Sequence, residues 1–65
     1  RVSKKDIVRQ TQSLLTRAGF DPGPADGLFG LKTQEAILAF QKKHGLSTDG
    51  EISPALLKAL SQIKT

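Results

Sequence analysis

Apolar residues recur at helical spacing in three stretches of the chain, with glycine and proline breaking the pattern between them. In the first stretch Ile7/Val8, Thr11, Leu14/Leu15 and Ala18 fall at three- and four-residue steps, which predicts a helix over about residues 4–18. Ser3 is placed to cap it, and Asp6 three positions on completes a capping-box pattern with Asp in place of Glu. Thr11 is the soft position, a hydroxyl where a helical bundle prefers leucine. Thr33, Ala36/Ile37, Phe40 and Lys43/His44 keep the same step and predict a second helix over about 31–44, with Gly30 at or near its N-cap. The third begins after Ser53, with Pro54 at the first helical position, and carries Leu56/Leu57, Leu60 and Ile63 over about 54–63. Gly19 and Gly45 end the first two helices.

The connections repeat as well. Gly19-Phe20 leads to Asp26-Gly27-Leu28-Phe29, and Gly45-Leu46 leads to Asp49-Gly50-Glu51-Ile52. Each unit is a helix, a glycine stop, an apolar plug, an Asp-Gly turn, a second apolar plug and the next helix start. In such a turn the aspartate accepts a backbone N–H two residues on, and the glycine takes the position that needs positive φ. Phe20 and Phe29 bracket the first loop and are expected to pin it to the core. No strand of useful length is visible, although Gly50-Glu51-Ile52 is placed to pair briefly with Leu28-Phe29. The expected fold is all-α: a compact three-helix domain with two Asp-Gly loops as a pseudo-repeat and no significant sheet.

Composition narrows the chemistry. Sixty-five residues make one domain, near the lower limit of what folds without staples. There is no cysteine and one histidine, so a disulfide, a thiolate metal site and a structural zinc are not expected, and no cofactor is called for. No window is apolar and long enough to insert in a membrane, and no signal-peptide pattern is present. The chain starts at Arg1, and it reads as a piece of a longer protein with any export signal upstream. The net charge of +4 resides in residues 1–17, while residues 18–65 sum to zero. A basic first helix and acidic turns result, which favours anionic partners for that helix.

Each polar candidate has a structural role beside a functional one. Asp26-Gly27 and Asp49-Gly50 could present carboxylates or amides to a ligand, but the motif occurs twice, which favours turn stabilisation. Gln41 beside Phe40 could reach a ligand, or satisfy loop backbone that burial would leave unpaired, and the second is favoured. Without Trp or Tyr, the three phenylalanines read as core more than as sugar-stacking faces. His44 suits the partial negative charge of a helix C-terminus. The run Arg1, Lys4, Lys5 and Arg9 fits a polyanion or a solvated face equally well. A glycosidase-type acid pair from Asp21, Asp26, Asp49 and Glu51 would need an enclosed cleft that three short helices do not offer. No serine has a plausible base and orienter, so catalytic residues are not expected.

Taken together, the residues resemble the peptidoglycan-binding domain family, the small helical module attached to many cell-wall hydrolases. The likeness runs through Val8, Gln12, Leu15, Gly19 and Phe20 in the first helix and its stop. It continues through Asp21, Gly23, Asp26, Gly27, Phe29, Gly30, Thr33, Ala36, Ile37, Phe40, Gln41, Gly45 and Leu46, and closes with Asp49, Gly50, Ile52, Ser53, Pro54, Leu57 and Leu60. Thr11, Leu31 and Leu56 depart from it, standing where a large apolar residue, proline and threonine are common.

The resemblance implies a non-catalytic module that binds peptidoglycan or muropeptides and holds a catalytic domain of the same chain at the wall. It also implies a periplasmic or extracellular setting and a monomer. The expected contact surface is the first Asp-Gly loop with the start of the second helix: Asp26, Leu28, Phe29 and Lys32, with Phe20 and Gln41 alongside. The alternative is a protein-interaction or autoregulatory module that packs on its parent enzyme, because fold alone does not select a ligand. Nucleic acid is not an expected partner, since the basic helix comes first and the other two are nearly neutral.

Overall fold

In the computed structural model, which describes residues 3–62, the helices follow as α1 (Lys4–Arg17), α2 (Leu31–Lys43) and α3 (Pro54–Ser61). Ile63 and the expected last turn of α3 lie outside the described residues. Each start has its own local cause. Ser3 Oγ accepts the Asp6 N–H at 3.2 Å, and the Asp6 carboxylate reaches back to the Ser3 N–H. Ser53 Oγ accepts the Leu56 N–H at 3.2 Å ahead of Pro54, whose missing donor costs nothing at that position. At α2, Gly30 provides no side-chain cap.

Both interior helix ends close in the same way. Phe20 donates its N–H to the Leu15 carbonyl at 2.9 Å and Gly19 to that of Thr16, while Leu46 donates to Gln41 at 2.8 Å and Gly45 to Lys42. These paired bonds form a Schellman motif, and in each the residue after the glycine folds back onto the core. Ala18 and His44 therefore act as C-caps, and α1 and α2 end one residue short of the expected limits.

The core is one cluster: Leu15 from α1, Ala36, Ile37 and Phe40 from α2, and Leu56 and Leu60 from α3. Phe20 meets Phe40 edge to face, with ring centroids 5.7 Å apart. Thr11 is fully buried without penalty to its hydroxyl, which donates to the Ile7 carbonyl at 2.9 Å.

Two expectations need correcting. Phe29 does not pin the first loop to the core: it is 44% exposed. It sits just before α2 and lines an open groove with Ile7, Val8 and Ile52, while the Phe20–Phe40 pair packs near the other end of that helix. The brief strand pairing also does not form, and no strand occurs among the described residues. The backbone groups it would have used are taken by side chains, since the Leu28 carbonyl goes to Gln12 and the Leu28 and Glu51 N–H groups go to aspartates.

Candidate functional site

The first loop is organised by one buried side chain from α1. Gln12 is 1% exposed, and its Oε1 accepts the Gly27 N–H at 3.0 Å. Its Nε2 donates to the Leu28 carbonyl and to Thr33 Oγ1, both at 2.9 Å, while Asp26 Oδ1 stands farther off at 3.5 Å. The Thr33 hydroxyl in turn donates to the Pro22 carbonyl at 2.9 Å. α1, both halves of the loop and the first turn of α2 are thereby tied together. Asp26 Oδ1 closes the turn by accepting the Leu28 N–H at 2.9 Å.

The second loop repeats this with Gln41 of α2. Gln41 Oε1 accepts the Gly50 N–H at 2.9 Å, and Nε2 donates to Asp49 Oδ1 at 2.8 Å. Asp49 Oδ1 also accepts the Glu51 N–H at 3.0 Å. Among the described residues no buried side-chain polar atom lacks a partner, as a polar interior requires.

The turn glycines are required on two counts. Gly27 and Gly50 have φ of 81° and 68°, which L-residues with a side chain rarely adopt. A Cβ at Gly27 would also collide with the Lys5 side chain and stand 3.0 Å from the Lys5 carbonyl oxygen. At Gly50 it would crowd Gln34 Cγ at 3.1 Å and Leu38 at 3.2 Å.

Two carboxyls are held below their ordinary range. The Gly23 N–H, then the Lys32 ammonium 3.3 Å away, lower Asp21. For Asp49 the Glu51 N–H acts first and the Gln41 amide second. Both carboxyls are solvent-exposed and ionised, the opposite of the raised acid that glycoside cleavage needs. Among the described residues no three His, Asp or Glu side chains gather to hold a metal ion.

The structure divides the six expected contact residues. Asp26, Leu28 and Lys32 come together on one open groove of about 390 Å³, with Pro22, Pro24 and Leu31 on its walls and Gln12 and Thr33 behind it. Leu28 and Leu31 are 64% and 71% exposed. Phe29 lines a second open groove of about 610 Å³ with Lys4, Ile7, Val8, Glu51 and Ile52. Phe20 packs on Phe40, and Gln41 is inside the second loop with both polar atoms engaged. Both grooves have the size of a small-ligand site without the enclosure of one.

Gln12 and Leu31 escaped the sequence reading as site residues. For Gln12 a signal existed: it shares the buried stripe with Val8, Thr11 and Leu15, and an amide on such a face must find partners. Leu31 carried no signal, because exposure of an apolar first-turn residue depends on the surrounding loops.

The family model described as "Putative peptidoglycan binding domain" matches residues 4–60. Among curated proteins, the uncharacterized protein FadG of Bacillus subtilis (strain 168) is 48% identical over 59 residues, covering 89% of this chain and 10% of that protein. N-acetylmuramoyl-L-alanine amidase CwlM of Mycobacterium tuberculosis is 40% identical over 55 residues, covering 85% of this chain and 14% of the amidase. A probable N-acetylmuramoyl-L-alanine amidase of Bacillus licheniformis is 41% identical over 56 residues, covering 83% and 16%. The chain thus spans 10–16% of the length of these relatives. No solved structure matches it.

Proposed function

The chain belongs to the peptidoglycan-binding domain family, and on that premise we propose that it is a non-catalytic module holding an attached cell-wall enzyme against its substrate. The observation that carries this reading is the match over residues 4–60, which takes in both Asp-Gly loops, α1, α2 and α3 up to its last residue but one. Two relatives that share the segment are named as N-acetylmuramoyl-L-alanine amidases, and in each of them most of the chain lies outside it. Tethering explains the benefit of a small module. Even weak binding raises the effective concentration of wall around a linked catalytic domain. The setting is then periplasmic or extracellular, and the module acts as a monomer.

We assign the ligand to the groove of the first loop. Leu28 offers an apolar contact, Lys32 a cation and Asp26 an acceptor, on a loop that Gln12 keeps rigid. Phe29 borders this surface from the neighbouring groove. Phe20 and Gln41 enter as supports, the first through its packing on Phe40 and the second through the loop it holds. Without a flat exposed Trp or Tyr, recognition rests on polar contacts to peptide stem or N-acetyl groups.

The groove lined by Ile7, Val8, Phe29 and Ile52 favours a second reading, in which the module packs an apolar face on its parent enzyme. Co-sedimentation with purified sacculi at low and moderate salt separates the two. Salt-resistant pelleting that soluble muropeptides compete away supports wall binding. Protein left in the supernatant, with altered activity of the parent catalytic domain, supports the second reading.

A further inference from the structure

Both loops contain Asp-Gly, the aspartyl dipeptide most prone to spontaneous backbone rearrangement. In Asp-Gly the glycine nitrogen is unshielded by a side chain, and glycine lets the chain reach attack geometry easily. The nitrogen gives up its proton and bonds to the aspartate Cγ, and the carboxyl oxygen leaves as water. Water then reopens the five-membered imide at either carbonyl, regenerating aspartate or leaving isoaspartate, with the main chain rerouted through Cβ. The released water is regained, so no other reactant is needed. The other aspartates are poorly placed for this: Asp6 precedes the β-branched Ile7 and Asp21 precedes Pro22, which has no N–H.

In this fold neither glycine nitrogen is free. The Gly27 N–H points into Gln12 Oε1 at 3.0 Å and the Gly50 N–H into Gln41 Oε1 at 2.9 Å, both at buried positions. The two glutamines are 1% and 3% exposed, so water does not compete for the bond. On the other side of each nitrogen, Asp26 Oδ1 and Asp49 Oδ1 are turned past it to the N–H of the following residue, at 2.9 and 3.0 Å. Attack would require breaking a buried hydrogen bond and an exposed one at the same turn. The arrangement occurs twice, on two helices, with the same atoms in the same roles.

We propose that Gln12 and Gln41 guard Asp26-Gly27 and Asp49-Gly50 against isoaspartate formation, making these bonds latent modification sites that open when either glutamine lets go. Isoaspartate at Asp26 would lengthen the turn that carries Leu28, so the modification would disable the groove as well as the loop. The inference rests on the hydrogen bonds alone and stands whatever ligand the groove takes.

The test is ageing of the chain at 37 °C and mildly acidic pH, with isoaspartate at each site read by peptide mass mapping and isoaspartyl methyltransferase labelling. Native protein should modify at least about tenfold more slowly at both sites than the same chain in denaturant, because attack must wait for local opening. Equal rates in the two conditions would overturn the proposal. Gln41→Met removes the acceptor and should accelerate Asp49-Gly50 while leaving Asp26-Gly27 slow. Ser53→Ala removes the cap of α3 just after the second loop and leaves the Gln41–Gly50 bond in place, so it destabilises the fold and should still leave Asp49-Gly50 slow. If both sites accelerate together in every variant, protection belongs to global folding and the glutamines are not its agents. If Ser53→Ala ages at Asp49-Gly50 as fast as Gln41→Met, stability and not capture of the N–H is responsible, which also overturns it.

Discussion

Gly27 gives its backbone N–H to Gln12 at 3.0 Å across fifteen residues of chain, and this bond ties the first loop to α1. Gly50 does the same with Gln41 across nine residues. The loops are equivalent in what they hold and unequal in how much. Gln12 also serves the Leu28 carbonyl and Thr33, whereas among the described residues the Gln41 side chain holds only Asp49 besides its glycine.

Removing these amides should therefore cost unequal amounts. Gln12→Met leaves a buried N–H, a carbonyl and a hydroxyl short of partners and is expected to destabilise by about 2–4 kcal/mol, against about 1–3 kcal/mol for Gln41→Met. A domain this small holds roughly 3–5 kcal/mol in total, so Gln12→Met should be close to unfolded. Urea denaturation of the two variants measures the order, and the reverse order would contradict the network described.

Alanine at the turn glycines should be worse than alanine at the helix stops. Gly19→Ala meets nothing within 4 Å and carries only the positive-φ cost of about 1–2 kcal/mol. Gly27→Ala adds a collision with Lys5, including its main-chain oxygen, which cannot swing away. Its melting temperature should fall well below that of Gly19→Ala.

Acid should loosen the loops by way of Asp21 and Asp49. Both carboxyls lie below the ordinary 3.8 when folded, so each contributes its stability in full above the unfolded-state pKa and loses it as pH falls through the folded value. Urea midpoints should be flat from neutral pH to about pH 5 and decline below about pH 4. Asp49→Ala should lower the neutral plateau and shrink the decline. The Asp21–Lys32 pair is exposed on both sides and open to screening, so added salt should reduce its share.

Wall binding should separate from stability at Leu28 and Lys32. Leu28 is 64% exposed and the Lys32 ion pair is solvent-screened, so Leu28→Ser and Lys32→Glu should leave the unfolding free energy within about 0.5 kcal/mol of the parent. Both should reduce pelleting with sacculi. Unchanged pelleting in the two variants would place the ligand on another face.

Leu31 offers a gain. It occupies the first position of α2, is 71% exposed, and follows Gly30 in extended backbone with φ −107°. Proline fits that position and lowers the entropy of the unfolded chain, so Leu31→Pro should stabilise by about 0.4–1 kcal/mol. A thermal melt checks the sign.

Much of this protein was legible in its residues one at a time. Ser3 with Asp6, Ser53 with Pro54, and the glycines at 19 and 45 act within a few residues, so the helix limits and both Asp-Gly turns could be read from local chemistry. The repeat itself was visible because its parts are adjacent in the chain. What required the tertiary structure was every relation across helices. Gln12 lies 21 residues from Thr33, so only packing of α1 beside α2 makes its amide the centre of the first loop. Phe29 looked like core by residue type, yet the packing of α1 and the second loop leaves it 44% exposed on an open groove beside Ile7, Val8 and Ile52. The division of the expected contact residues between two grooves has the same cause. Local propensity decides where the chain turns, but which face a turn presents depends on the volume its neighbours have already occupied.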